Sequence, residues 1–208
     1  MIVNTEGIIL RSIPYSESSL ILKIFTKDYG LLSFLVRGAR SKSLKNGGQV
    51  LRPLNQIQFS FYNKEIKTLK SIKEYHLLFA PDSQQFGIHK SSIWMFMVEV
   101  VSLVIKDEAM VDTEKYHFIS YSVDHLRQHD VSSQFYLSFL FQFGDYIGIG
   151  QPVLEPKYVE YLSEYQTALN QDSQTRKQLY NQLAAHYHDH LSGFRDIKSL
   201  TILEQILQ

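Results

Sequence analysis

The sequence predicts an α+β protein, with a β-rich segment over residues 1–80 followed by an all-helical segment over residues 81–208. In the first segment, short β-branched and aromatic runs alternate with turn residues, a pattern typical of strands. After Ala80-Pro81-Asp82 the apolar residues recur at helical spacing instead. The charge changes at the same point, because residues 1–80 hold 12 Lys and Arg against 5 Asp and Glu, whereas residues 81–208 hold 9 against 16. We therefore predict two domains with these bounds.

Five strands are predicted in the first domain. The turn Lys27-Asp28-Tyr29-Gly30 is short enough to join the second and third strands as an antiparallel hairpin. Short antiparallel strands with one long loop fit a small closed barrel, because closure removes the exposed strand edges. The five-stranded oligonucleotide-binding (OB) β-barrel is the first candidate, and an SH3-like barrel is the alternative. The predicted strands are Ile2 to Leu10, Leu20 to Phe25, Leu31 to Arg37, Ile57 to Tyr62 and Ile66 to Tyr75.

The second domain is predicted to be all-helical. Its most apolar window, Ile93 to Ile105, carries Glu99 and is too short for a bilayer span, so a buried helix is expected there. Gly148 and Gly150 follow a helix rather than a strand, which favours a helix C-cap over a dinucleotide-binding fingerprint. The predicted helices are Phe86 to Lys106, Tyr116 to Gln128, Phe135 to Ile147, Pro156 to Leu169, Ser173 to Leu191 and Lys198 to Leu207.

Composition narrows the class of protein. Hydrophobic residues make up 44% of the chain and charged residues 20%, as in ordinary globular proteins. The absence of cysteine excludes a disulfide scaffold and a thiolate metal site, and it fits a reducing cytoplasm. The N-terminus lacks a basic segment followed by a long apolar one, so no signal peptide is expected. A cytoplasmic protein is therefore predicted.

A basic loop follows the third strand. The apolar run from Leu31 ends in Arg37-Gly38-Ala39-Arg40, and two lysines follow at 42 and 45 among Ser, Asn and Gly. This pattern indicates a buried strand that delivers a flexible cationic loop, which suits the backbone of a polyanion. A solvated surface loop is the alternative. The basic balance of the first domain favours the polyanion.

Aromatic residues of the first domain divide into two groups. Phe59 and Phe61 share one face of a strand and are expected in the core. Tyr29 and Tyr62 lie near turns and are the better candidates for stacking on nucleic-acid bases.

The sequence contains no recognised catalytic motif, such as a phosphate-binding loop, a nucleophile elbow or a His-Glu-x-x-His pair. The acidic residues of the first domain are scattered along the chain, so an enzyme is not expected. His186 and His190 share a helix face and offer two metal ligands, but no further ligand is evident, so a structural or solvated role is preferred. The prediction is no catalytic residue, no metal and no cofactor.

Several segments match the pattern of a known family. Near the N-terminus these are Gly7-Ile8-Ile9-Leu10-Arg11, Pro14-Tyr15-Ser16-Glu17-Ser18-Ser19-Leu20 and Phe25-Thr26-Lys27-Asp28-Tyr29-Gly30-Leu31. Further matches are Arg37-Gly38-Ala39-Arg40-Ser41-Lys42-Ser43, Leu51-Arg52-Pro53-Leu54, His190-Leu191-Ser192-Gly193-Phe194 and Ile197-Lys198-Ser199-Leu200. Together they resemble the RecO family of bacterial DNA repair proteins, over nearly the whole chain and most strongly in its first 55 residues.

This resemblance implies an OB barrel followed by a helical domain, in a recombination mediator rather than an enzyme. Members of the family bind single- and double-stranded DNA and anneal complementary strands. With RecR they help to load the RecA recombinase onto DNA coated by single-stranded DNA-binding protein. They commonly contact the acidic C-terminal tail of that coating protein through the helical domain. A role in DNA damage repair, at the nucleoid, is the expectation.

One departure from the family pattern concerns zinc. Many members carry a four-cysteine zinc module after the helix that here ends near Gly148, but this chain has no cysteine. The corresponding segment, Gln151 to Tyr161, offers Glu155, Lys157 and Glu160 instead. We therefore predict no structural zinc, with packing of the short helix in place of the metal.

The predicted mechanism is electrostatic, because cations neutralise phosphates while nearby rings meet bases. The alternative is a protein-interaction module whose barrel docks to a protein partner without direct DNA binding. The predicted DNA-binding residues are Arg37, Arg40, Lys42, Lys45, Arg11 and Arg52.

Overall fold

The computed structural model describes residues 1–39, 50–63, 68–78, 86–106, 110–132, 134–165 and 172–206. The chain forms two compact units, one made of Met1–Pro81 with Ile105–Ser120 and the other of Asp82–Val104 with Tyr121–Gln208. The predicted fold class is confirmed, since a five-stranded barrel precedes a series of helices. The predicted domain bounds, 1–80 and 81–208, stay a prediction.

The first unit contains a closed barrel with the strand order β1-β2-β3-β5-β4. Neighbouring strands are antiparallel except β3 and β5, which are parallel. A closed five-stranded barrel with one parallel pair is the OB architecture rather than the SH3-like alternative. The strands are β1 Ile2–Pro14, β2 Leu20–Thr26, β3 Gly30–Val36, β4 Gln56–Tyr62 and β5 Leu69–Leu77.

A bulge in β1 changes which residues face the core. Ile9 pairs with Ile24 and is fully buried, but the next pair joins Arg11 to Lys23, so Leu10 is the extra residue. Because side chains alternate along a strand, one extra residue reverses the alternation beyond it. Arg11 therefore faces outward, where uninterrupted alternation from Ile9 would have turned it inward.

A second bulge lies in β5, between the pairs Phe61–Ile72 and Ser60–Glu74. Uninterrupted alternation along the predicted strand would place Ile72 and Glu74 on one face and Tyr75 on the other. That expectation is wrong beyond the bulge, because Ile72 and Tyr75 both pack against the barrel core. Burial raises the pKa of the Tyr75 hydroxyl. The predicted start of this strand, Ile66, lies outside the described residues.

The barrel core is built from aromatic rings on facing strands. Phe34 lies 5.1 Å from both Phe59 and Phe61 between ring centroids, in edge-to-face arrangements. Such pairs contribute beyond their buried area, by about 0.5–1.5 kcal/mol each. The prediction that Phe59 and Phe61 belong to the core is confirmed.

Helices follow the barrel close to the predicted positions. The predicted helix from Pro156 is shorter than expected and ends at Leu162. Within the described ranges, no helix combines the length and apolarity that crossing a bilayer would require. The helices are α1 Ile88–Val104, α2 Thr113–Gln128, α3 Phe135–Tyr146, α4 Pro156–Leu162, α5 Ser173–His190 and α6 Ser199–Ile206, with a 3-10 turn at Phe194–Asp196.

The charge inside the apolar helix α1 has a structural partner. Oε2 of Glu99 accepts hydrogen bonds from the backbone N–H and the hydroxyl of Ser199, at 3.0 and 2.9 Å. These donors belong to the first residue of α6, where free N–H groups and the helix dipole favour an anion. Glu99 therefore holds the N-terminus of the last helix.

Aromatic and imidazole rings stack beside α2 in the second unit. His125 is 5% exposed and lies 4.3 Å from His129 and 5.9 Å from Phe135 between ring centroids. Tyr165 lies 5.2 Å from the same imidazole and shares a 2.7 Å hydrogen bond with Ser122. Burial, and then the nearby charge of His129, lower the pKa of His125.

We expect an added methyl group at Gly7 to destabilise the barrel. The new Cβ would overlap Cγ2 of Ile24 and lie 3.1 Å from the ring of Phe59. Overpacking of this kind costs roughly 1–3 kcal/mol, so Gly7→Ala should lower the urea midpoint of unfolding accordingly. Gly87→Ala is the matched control, because its Cβ would meet nothing within 4 Å. Equal midpoints for the two variants would contradict the close packing described at Gly7.

Stability should also decrease as the pH falls below about 6.5, the ordinary pKa of histidine. Because the pKa of His125 is lowered in the folded protein, the unfolded chain binds more protons in this range. One such group changes the free energy of unfolding by at most about 1.4 kcal/mol per pH unit. His125→Phe should keep the ring packing and weaken this pH dependence, as measured by urea unfolding at several pH values. The exposed His117→Phe should not, and identical pH profiles for both variants would contradict the assignment.

Candidate nucleic-acid interface

The outer surface of the barrel consists of rows of side chains that run across neighbouring strands, since paired residues point to the same face. Residues of helix α2 cover one of these rows. The ring of Phe25 lies 6.0 Å from that of Tyr116 in α2. Gln56 donates to the carbonyl oxygen of Ser120 at 3.1 Å and accepts from its hydroxyl at 2.7 Å. This covered row is Gln56, Ile8, Phe25 and Leu31.

The next row carries two positive charges on adjacent strands. Arg11 pairs with Lys23, and the row continues through Ser33 to Leu69. Arg11 is exposed and Lys23 is half-buried. We call Arg11 and Lys23 the cation row. Lys23 was not among the predicted site residues, although the alternation of β2 places it on the outer face together with Ile21.

A row of aliphatic side chains lies beside the cation row, one pleat further along the strands. Ile13 pairs with Ile21, which pairs with Leu35, and Ser71 ends the row on β5. Ile13 is 45% exposed, while Ile21 and Leu35 are half-buried. We call Ile13, Ile21 and Leu35 the aliphatic row.

The loop between β1 and β2 adds an aromatic ring at the end of the aliphatic row. The backbone N–H of Tyr15 donates to the carbonyl of Ser19 at 3.1 Å, which continues the β1–β2 ladder by one step. The hydroxyl of Ser16 accepts from the N–H of Ser19 at 3.2 Å and closes the loop. Tyr15 is 63% exposed, and Glu17 places one carboxylate in the same loop.

Backbone hydrogen bonds bring the segment before β4 to the bulge in β1. The N–H of Leu54 donates to the carbonyl of Ile9 at 2.6 Å, and the N–H of Ile9 donates to the carbonyl of Asn55 at 3.0 Å. Leu54 is buried although its φ is 63°, a backbone conformation that bulky residues rarely adopt. We call these two hydrogen bonds the clasp, because they attach the segment before β4 to β1 at Ile9. Arg52 is exposed and lies two residues before Leu54, and Arg11 lies two residues after Ile9.

The basic loop leaves the barrel from two anchored ends. Arg37 is exposed directly after β3, and Gly38 follows with a φ of 71° that glycine adopts without strain. Ala39 and Leu51 both pack in the barrel core and are 2% and 1% exposed. Three of the predicted DNA-binding residues, Arg40, Lys42 and Lys45, lie between these ends and outside the described residues.

The two predicted stacking tyrosines lie elsewhere. The ring of Tyr29 packs edge-on against Phe61 at 5.4 Å and belongs to the periphery of the core. Tyr62 is 43% exposed, but it pairs with Ile2 at the start of β1, far along that strand from Arg11. The exposed ring next to the aliphatic row is Tyr15, which was not among the predicted stacking residues.

The histidine pair has backbone partners. Nε2 of His186 lies 3.1 and 3.2 Å from the carbonyl oxygens of Ile149 and Gly150. Since carbonyl oxygens only accept, Nε2 carries the hydrogen and has no lone pair for a metal. His190 donates from Nδ1 to the carbonyl of His186 at 2.8 Å. Among the described residues, no cluster of three or more His, Cys, Asp or Glu side chains is placed to hold a metal ion.

The segment Gln151 to Tyr161, where the resemblance predicted packing of a short helix in place of zinc, contains the start of α4. Pro156 occupies the first turn of this helix, and Tyr161 and Leu162 are buried at its end. The side-chain amide of Gln142 donates to the carbonyl of Leu162 at 3.0 Å. Lys157 lies 2.9 Å from Glu155, and this hydrogen bond raises the pKa of Lys157. Packing and hydrogen bonds therefore hold the segment.

Comparison with known proteins gives consistent matches. The family profile described as "Recombination protein O N terminal" matches residues 1–80. A protein named DNA repair protein RecO from Flavobacterium johnsoniae is 29% identical over 236 aligned positions, which cover 99% of both chains. The protein of the same name from Flavobacterium psychrophilum is 26% identical, again over 99% of both chains. That from Phocaeicola vulgatus is 30% identical over 72% of this chain and 62% of its own length.

Zinc addition should not change the melting temperature, because Nε2 of His186 is used as a donor. His186→Ala should lower stability by roughly 1–3 kcal/mol, since two carbonyl groups lose their partner. His190→Ala, at an exposed position, should have a smaller effect. Differential scanning calorimetry with and without one equivalent of Zn²⁺ measures both effects. A zinc-dependent rise in melting temperature that disappears in each single variant would show that the pair binds the metal.

Proposed function

Because this chain belongs to the RecO family of DNA repair proteins, we propose that it acts as a recombination mediator. In this role it binds single- and double-stranded DNA, anneals complementary strands and helps to load RecA onto DNA coated by single-stranded DNA-binding protein. The family supports a function in DNA repair and recombination. The DNA-binding steps are assigned to the barrel.

The observation that carries this proposal is the cation row on the outside of an OB barrel. Arg11 and Lys23 lie on paired strands, so two positive charges face one stretch of backbone. Surfaces of this kind track the phosphates of a strand without demanding one fixed sequence. Arg37 and Arg52 are exposed and would extend the contact, as would Arg40, Lys42 and Lys45.

Annealing by this surface needs no bond chemistry. Two complementary strands repel each other through their phosphates, and neutralising phosphates on one strand lowers that repulsion. A surface that holds the backbone leaves the base edges free to pair. We therefore assign no catalytic residue and no cofactor to the protein, and the scattered carboxylates of the barrel segment are consistent with this.

The partners proposed from the family are RecR and the acidic C-terminal tail of single-stranded DNA-binding protein. Binding of an acidic tail requires accessible cations on the protein. Lys115 pairs with Asp112 at 3.0 Å, and Arg127 pairs with Asp124 at 3.8 Å. Lys106, the third cation in this part of the sequence, is exposed. We further propose that the protein acts at the nucleoid in the bacterial cytoplasm, where chromosome repair takes place.

The proposal predicts that affinity for single-stranded DNA falls steeply with salt. Each lost phosphate contact should reduce the slope of log affinity against log salt by roughly 0.7. Arg11→Ala combined with Lys23→Ala should therefore flatten the slope by roughly 1.4 if both contact phosphate. Arg37→Ala combined with Arg52→Ala tests in the same way the two remaining predicted DNA-binding residues that the structure describes. Fluorescence anisotropy of a labelled oligonucleotide at several salt concentrations gives the slopes, and annealing rates should decrease in parallel.

Lys27→Ala is the matched control, because this lysine lies 3.7 Å from Glu6 on another part of the barrel. Its salt slope should equal that of the unmodified protein. If the cation-row variant also keeps the original slope, Arg11 and Lys23 are not in the DNA site. If the unmodified protein binds no DNA, the barrel is better explained as a module that docks to a protein partner.

A further inference from the structure

A cavity of about 390 Å³ lies in the second unit, between α5 and the segment that leads into α4. Its volume falls in the range of protein sites that hold small molecules. All the residues that line it belong to the second unit, and none belongs to the barrel. What the cavity binds is therefore a question separate from the proposed function.

The inner part of the cavity is apolar and partly aromatic. Leu179 of α5 is only 1% exposed and is the most deeply buried of the lining residues. Leu154 and Tyr158 are half-buried and contribute an aliphatic and an aromatic wall. The ammonium of Lys157 lies 4.6 Å from the centre of the Tyr158 ring. A flat ring can therefore pack between aliphatic and aromatic side chains in this cavity, as rings do in many small-molecule sites.

Two glutamines supply the polar groups along one wall. Gln178 and Gln182 line the cavity, are exposed and lie four residues apart on α5. Residues at this spacing share one face of a helix. Each side-chain amide offers donors on its nitrogen and an acceptor on its oxygen, in one plane. They match a ligand that carries donors and acceptors along the edge of a flat ring.

The charge at the cavity already has a partner. Among the described residues that line the cavity, Glu155 is the only charged one, and its Oε2 lies 2.9 Å from Nζ of Lys157. No lysine or arginine is among these lining residues. A phosphate or an acidic peptide would lose hydration there without gaining a counter-charge. The part of the ligand that enters the cavity is therefore uncharged.

We propose that this cavity binds the base of an adenine nucleoside. Adenine is flat and uncharged, and a glutamine amide pairs with it through two hydrogen bonds, donating to N7 and accepting from the N6 amino group. The faces of the base pack against side chains such as Tyr158. The occupant is a free nucleoside rather than a base of a DNA strand, because a strand would bring phosphates to walls that carry a carboxylate and no cation.

Isothermal titration calorimetry of the whole chain with adenosine tests this inference. The dissociation constant should be about 0.1 mM or lower, as expected for a well-fitted ligand of this size. Inosine, in which a carbonyl oxygen replaces the N6 amino group, should bind about fivefold or more weakly, because it cannot donate to the amide. Gln178→Leu combined with Gln182→Leu should lower the affinity for adenosine to about that for inosine.

Gln174→Leu is the matched control, because this glutamine is exposed on α5 but does not line the cavity. It should bind adenosine like the unmodified protein, and circular dichroism should show both variants folded. Absence of adenosine binding would overturn the inference, as would equal affinities for adenosine and inosine or an equal loss in the control. If the double variant weakened the binding of oligo(dA) but not of adenosine, the base would come from DNA and the assignment to a free nucleoside would be wrong.

Discussion

The bulge at Leu10 in β1 is the constraint on which the candidate interface depends. Before it, β1 places Gly7 and Ile9 toward the core, and beyond it the alternation is reversed. Without the extra residue, Arg11 and Ile13 would point into a core built of aromatic rings. An arginine there would lose its hydration without a partner, at a cost of several kcal/mol. One inserted residue thus keeps the core apolar and moves a cation and an isoleucine onto the surface.

The clasp from the segment before β4 holds this bulge in place. Leu54 and Asn55 satisfy the N–H and C=O of Ile9 at the point where β1 ceases to pair with β4. The geometry requires a positive φ at Leu54, which costs of order 1–3 kcal/mol for a residue with a side chain. Burial of the leucine side chain offsets part of this cost. The pairing of β1 with β4 ends at Ile8 and Gln56, four residues after the exposed Arg52. The same local structure therefore contributes to the stability of the barrel and carries one of its surface charges.

Much of the fold could be predicted from the sequence, because alternation and turn residues are local signals. The strands, the core role of Phe59 and Phe61 and the order of the helices follow from these patterns. Bulges are set by hydrogen bonds between distant segments, so the inward position of Tyr75 and the reversal after Ile9 were not predictable. Lys23 could not be identified as a site residue for a related reason, because the strand pairing that places it opposite Arg11 is not a local signal in the sequence. Tyr29 looked available because it adjoins a turn, yet that turn folds its ring onto Phe61.

The predominance of aliphatic over aromatic side chains on the outer face of the barrel bears on the proposed annealing function. Base stacking on an aromatic ring contributes roughly 1–3 kcal/mol per base, and a platform of several rings would hold a single strand tightly. An annealing protein must instead release each base to its complement. The outer face described here combines one exposed ring, Tyr15, with Ile13 and two half-buried aliphatic side chains. In the proposed function, such a surface would hold DNA mainly through its phosphates, whose contacts exchange easily, and would keep the bases available for pairing.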